Sequence, residues 1–191
     1  MSTLDLIGAI IGLAYIVSEY RADRWFWPLS LLMSAFYAVL YLQSHYFANF
    51  AICVYNFAMS VYGILVWRGV VQSKSGGERP IGSCPRRLWL PIVAAVAALG
   101  ALLSWSLDML GESSQPLLDG FSSALSIVGM WMLSQKWWQE WICWLLVEPI
   151  LIAMFLMAEP QPLYASAALY VVFEVFCVLG IIRWRRLSVG E

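Results

Sequence analysis

Charge is scarce in this chain of 191 residues. Asp, Glu, Lys and Arg together make up 12%, about half the usual share of a soluble domain. The balance is −1 with no basic tract, which excludes nucleic acid as a partner. A single His, His45, leaves little for acid–base catalysis. Neither a phosphate-cradling Gly-rich loop nor a Ser/His/Asp set appears. Four Cys are present, at 53, 84, 143 and 177. They lack CxxC spacing, and three lie inside apolar runs. Free buried thiols are expected, without bridges, metal site or cofactor. No Lys or Arg precedes the first apolar run, MSTLDLIGAIIGLAYIV, which argues against a cleaved signal peptide.

Apolar residues fill the space that charge leaves. They make up 62% of the chain, and mean hydropathy is +0.75. A soluble domain of this size has too little interior to hide so much apolar surface. The expected class is an all-α integral membrane protein embedded in a lipid bilayer. A spanning helix needs about 20 apolar residues, and seven segments qualify: 4–20, 25–43, 46–67, 88–107, 116–135, 138–158 and 163–184. The connector over 69–87 is rich in Gly, Pro, Ser and charge and reads as a solvated loop. The third and seventh spans end in Trp67-Arg68 and Trp184-Arg185, a pattern that suits an interfacial aromatic belt.

Alternating connectors divide the charges sharply. Arg21, Arg24, Arg68, Lys74, Arg79, Arg86, Arg87, Lys136, Arg183, Arg185 and Arg186, all eleven cations, fall in one set. Asp5, Asp108, Glu112, Asp119 and Glu159 fall in the other. The positive-inside rule then puts the C-terminus in the cytoplasm and the N-terminus outside. No Lys lies within a span, which excludes a retinal Schiff base.

Shifted by 117 residues, the chain aligns with itself without gaps at its landmarks. Gly12 meets Gly129, Trp27 meets Trp144, Gly63 meets Gly180, and Trp67-Arg68 meets Trp184-Arg185. Two three-helix repeats follow, 1–68 and 121–191, joined by a loop, a linker helix and an outer loop over 69–120. An odd linker makes the repeats parallel. The architecture is therefore 3+1+3, like the SWEET carriers, with a substrate site expected near midplane between the halves.

Polar residues inside spans mark candidate contacts. A carboxylate near the bilayer centre costs about 2.5–3.5 kcal/mol even on the mild insertion scale, so Glu148 and Glu174 stand out. Trp141, Trp144 and Glu148 form W-x-x-W-x-x-x-E, spaced along one helical face. At about 1.5 Å per residue, Glu148 lies about 10 Å deeper than Trp141. Two indoles above a carboxylate suit a flat cationic ring. Pro149 beside Glu148 can free a carbonyl for a ligand. Tyr170 shares a face with Glu174, Tyr37 lies in span two, and Asn56 is the main polar residue of span three. For Asn56, packing glue between helices is an equal alternative.

With these motifs, WICWLLVE (141–148), VYGILVW (61–67) and LGIIRW (179–184), the chain resembles the PnuC family of vitamin transporters. The resemblance spans nearly the whole chain. It implies a homotrimer in the bacterial inner membrane, one path per protomer. It implies facilitated diffusion of an unphosphorylated small-molecule vitamin precursor, trapped afterwards by cytoplasmic phosphorylation. Trp141 and Trp144 carry over as stacking residues. Members that carry nicotinamide riboside usually have Asn where this chain has Glu148, and Gln near Cys53. Nicotinamide riboside is the first substrate expected and thiamine the alternative, both being cationic rings. A non-transporting membrane enzyme or receptor is the competing class.

Overall fold

The computed structural model describes residues 3–43, 47–71, 79–111, 113–157 and 164–189. His45, Lys74, Glu112 and Glu159 lie outside the described residues, as do the side chains of Asp5 and Tyr41. Seven α-helices are present among the described residues: α1 Thr3–Tyr20, α2 Phe26–Gln43, α3 Phe47–Trp67, α4 Trp89–Leu110, α5 Pro116–Ser134, α6 Glu140–Leu156 and α7 Tyr164–Val189. Each coincides with an expected span to within a few residues. Within Phe50–Trp67, Arg86–Leu110, Pro116–Ser134 and Ser166–Ser188 the helices are long and apolar enough to cross a membrane. α6 is shorter, 17 residues or about 25 Å, and continues through Pro149.

The helices end where side-chain chemistry changes. Pro116 opens α5, where its missing N–H costs nothing. Gly111 closes α4 in the left-handed conformation (φ 65°), and its N–H caps the carbonyls of Leu107 and Asp108. α4 buries little except Gly100. Trp105 and Leu90 stand open at its surface, as expected for a helix solvated by lipid.

The chain forms two compact units. The first comprises α1–α3 with the turn Leu133–Lys136. Its core is aromatic. Phe26 meets Trp27 edge-on at 5.0 Å, and Trp27 meets Trp67 edge-on at 5.5 Å. The α2–α3 contact is close because Gly63 has no side chain. A Cβ there would fall inside the Trp27 indole, and small residues are what let membrane helices approach this closely. Ser30 and Ser60 add a hydroxyl–hydroxyl hydrogen bond of 2.9 Å between the same helices.

The second unit comprises residues 81–132 and 137–191. Its α6–α7 contact repeats the same device: a Cβ on Gly180 would fall inside the Trp141 indole, and Trp141 meets Trp184 edge-on at 5.8 Å. Trp27–Gly63–Trp67 and Trp141–Gly180–Trp184 are thus matching triads. Gly63 matches Gly180 at the expected offset, but Trp27 matches Trp141 rather than Trp144. The ungapped alignment misses this because α2 and α6 are offset by 114 residues, one helical turn less than α3 and α7.

Two further sequence expectations change. Trp67 and Trp184 are buried, each against a second indole, so they are packing residues and not a lipid-facing belt. The end of the long connector is docked instead of solvated. The Trp138 amide donates to the Gly82 carbonyl (3.1 Å), and the Cys84 amide donates to Gln139 Oε1 (2.9 Å). Cys84 is buried in a cluster with Val128, Met132, Trp137 and Cys143. Burial pushes its thiol above the ordinary range. All four cysteines are buried thiols outside any disulfide.

Candidate functional site

α6 carries the candidate chemistry. Glu140 sits in its first turn, where the helix dipole favours an acid, and is fully buried. Its Oε2 accepts a 2.5 Å hydrogen bond from the indole N–H of Trp144, one turn on. One turn further, Glu148 is 6% exposed. Glu140, Trp144 and Glu148 therefore make a stripe at i, i+4 and i+8, with the indole orientation fixed by the first acid. On α5, Gly129 gives this stripe room. A Cβ there would stand 3.1 Å from Cys143 Cβ and 3.5 Å from Trp144 Cζ2.

Trp141 is directed elsewhere. It has no exposed surface and faces α7 through Gly180 and Trp184. Its indole N–H has no hydrogen-bond partner. The two tryptophans of W-x-x-W thus meet different neighbours, Trp141 on α7 and Trp144 on α5. Only Trp144 retains accessible surface.

Of the α7 residues, Tyr170 packs edge-on against Phe155 at 5.0 Å and in a tilted arrangement against Phe173 at 5.3 Å. Glu174 is half-buried, and its Oε2 has no hydrogen-bond partner. Tyr37 and Asn56 belong to the first unit. Tyr37 is exposed beside Phe36. Asn56 is half-buried, and its backbone carbonyl accepts from the Ser60 hydroxyl at 2.7 Å.

Two buried acids escaped the sequence reading, Glu140 and Glu19, the latter 2% exposed at the end of α1. Glu140 had a visible signal, its four-residue spacing to Trp144. Its place beside the polar turn Gln135-Lys136 makes it look like part of a solvated connector in the sequence. Among the described residues, no group of three His, Cys, Asp or Glu side chains is arranged to hold a metal.

A cavity of about 790 Å³ opens in the first unit. Arg24, Trp25, Trp27, Trp67, Arg68 and Lys136 are among its lining residues. None of the residues expected at the substrate site lines it.

Residues 2–186 match the nicotinamide mononucleotide transporter family. The chain belongs to that family. Its relatives include the nicotinamide riboside transporter PnuC of Escherichia coli, 22% identical over 96% of this chain and 85% of that protein. The nicotinamide riboside transporter PnuC of Neisseria mucosa is 24% identical, over 97% of this chain and 73% of the relative. The crystal structure of the vitamin B3 transporter PnuC superposes with a TM-score of 0.73 at 20% identity, covering 96% of this chain and 81% of that one. That likeness gives the fold. With the family it makes this chain a multi-pass membrane transporter and not an enzyme.

Proposed function

We propose that the chain carries an unphosphorylated, cationic vitamin precursor, nicotinamide riboside first, by facilitated diffusion. Thiamine is the second candidate. The observation that carries this reading is the α6 stripe, an indole hydrogen-bonded to Glu140 with the buried Glu148 one turn beyond it. A desolvated cation needs an opposite charge, and a flat ring needs a face on which to stack. Trp144 supplies the face and Glu148 the charge. Tyr170 and Glu174 add an aromatic edge and a second acid from α7. Trp141 supports the stripe from the α7 side. Asn56 and Tyr37 are candidate contacts in the first unit.

Around that core stands the wider reading. The chain is a homotrimer of 3+1+3 protomers in the bacterial inner membrane, N-terminus outside and C-terminus cytoplasmic. The parts are 1–68, 69–120 and 121–191. Phosphorylation in the cytoplasm keeps the product from leaving, so no coupling ion is needed.

The test is uptake into liposomes that contain only this protein, with nicotinamide riboside, thiamine and riboflavin in parallel. Nicotinamide riboside enters, thiamine enters more slowly, and neutral riboflavin stays out. Entry of riboflavin alone overturns the cation reading. Entry of none of the three overturns this substrate assignment.

A further inference from the structure

The cavity of the first unit shares no lining residue with the substrate site proposed above, yet it has the composition of a binding site. Its volume, about 790 Å³, lies within the range of small-molecule pockets. Three indoles line it, the buried Trp27 and Trp67 and the exposed Trp25. Three cations line it, Arg24, Arg68 and Lys136, against one acid, Asp23. One Asp23 oxygen already accepts the Trp25 backbone N–H at 3.1 Å. Lys136 is buried, with its ammonium 4.5 Å from the centre of the Trp67 ring.

The backbone adds an independent sign. Ala22 and Lys136 are the non-glycine residues with positive φ among those described, at 53° and 52°. Both line this cavity. Strained backbone of this kind collects at ligand clamps and switch regions.

The charge balance selects the ligand. A net positive pocket repels a cationic ring such as the transported precursor. The same ring with a phosphate attached carries about −1.5 to −2 on that group, which reverses its overall sign. Arginine forks fit phosphate oxygens, and the indoles fit the ring. We propose that this cavity binds the 5′-phosphorylated form of the ring compound that the protein transports, as a product site built from residues other than those of the proposed substrate site. The inference rests on the transport reading. By the positive-inside rule the pocket faces the cytoplasm, where phosphorylated product accumulates, so occupancy reports on intracellular supply.

The test is calorimetric titration of the full chain in neutral detergent with nicotinamide mononucleotide, nicotinamide riboside and inorganic phosphate. Thiamine and its monophosphate form a parallel pair. The nucleotide binds, and its affinity falls at least tenfold between low and high salt. The double variant Arg24→Gln/Arg68→Gln weakens nucleotide binding at least tenfold and leaves nicotinamide riboside binding unchanged. Both replaced side chains are exposed, so folding is preserved, and unchanged riboside binding verifies it. Equal nucleotide binding by variant and wild type overturns the proposal. So does inorganic phosphate binding as tightly as the nucleotide, because the indoles then contribute nothing. Displacement of the nucleotide by phosphatidylglycerol but not by excess thiamine monophosphate assigns the pocket to a lipid headgroup and also overturns it. If riboside neither binds nor enters liposomes while the nucleotide binds, the transport reading fails and the pocket stands.

Discussion

Trp141 fills the space that a side chain on Gly180 would need: a Cβ on the glycine would overlap the indole. The closeness of α6 and α7 depends on that missing methyl group. Gly180→Ala therefore forces the indole out of its slot. Overpacking of this kind costs about 1–3 kcal/mol. Thermal melting of the purified protein in detergent checks it. Gly63→Ala should lower the melting point similarly, through Trp27. Gly82→Ala, with open space around it, should not move it. Equal melting of all three variants contradicts the triad packing.

Glu140 orients Trp144 through a charge-assisted hydrogen bond. Such bonds contribute about 1.5–3 kcal/mol. Glu140→Ala should weaken substrate binding about tenfold or more, whereas Glu140→Gln keeps an acceptor oxygen and should lose less. Parallel titrations of the two variants separate orientation from bulk electrostatics. Equal losses would assign Glu140 a role through charge alone.

Glu148 supplies charge in the proposed site. Glu148→Gln keeps the shape and removes the charge, so binding of nicotinamide riboside and thiamine should fall together, by tenfold or more. Trp144→Ala should abolish both, and Trp144→Phe should retain part. Unimpaired binding by Glu148→Gln removes the carboxylate from the site.

Cys84 is buried and its thiol pKa is raised. The thiolate is the reactive form, so maleimide at neutral pH should label the native chain slowly at this position and the unfolded chain quickly. Because the folded state holds the proton more tightly, stability from this group is complete below the unfolded thiol range, about 8.5. It is lost as pH rises beyond that point. Mass spectrometry of labelled peptides reads the result. Rapid native labelling would mean that residues 81–85 are not docked.

The helices were legible because each apolar run is long and each break is chemical. Pro116, Gly111 and the Arg21–Arg24 turn mark boundaries that elementary propensities recover. The family resemblance was equally legible, in W-x-x-W and in the Gly and Trp landmarks of α3 and α7. The true partner of Trp27 was not. One turn of difference in loop length is invisible to an ungapped alignment, and only packing against glycine reveals it. The docking of Gly82 and Cys84 on Trp138 and Gln139 was hidden for a similar reason. Backbone hydrogen bonds between distant turns leave no periodicity. Glu140 was hidden by its polar neighbours, since burial of a residue at a helix end depends on what covers it.

The two glycine slots also govern which parts of the molecule can be exchanged. A slot and its indole sit on different helices, so neither helix can be replaced without its neighbour. A chimera that grafts α7 from a relative bearing alanine at position 180 needs a smaller ring on α6 to match. A graft of α6 and α7 together brings key and lock from one parent. The helix pair, and not the single helix, is the unit in which this protein can be shuffled or redesigned.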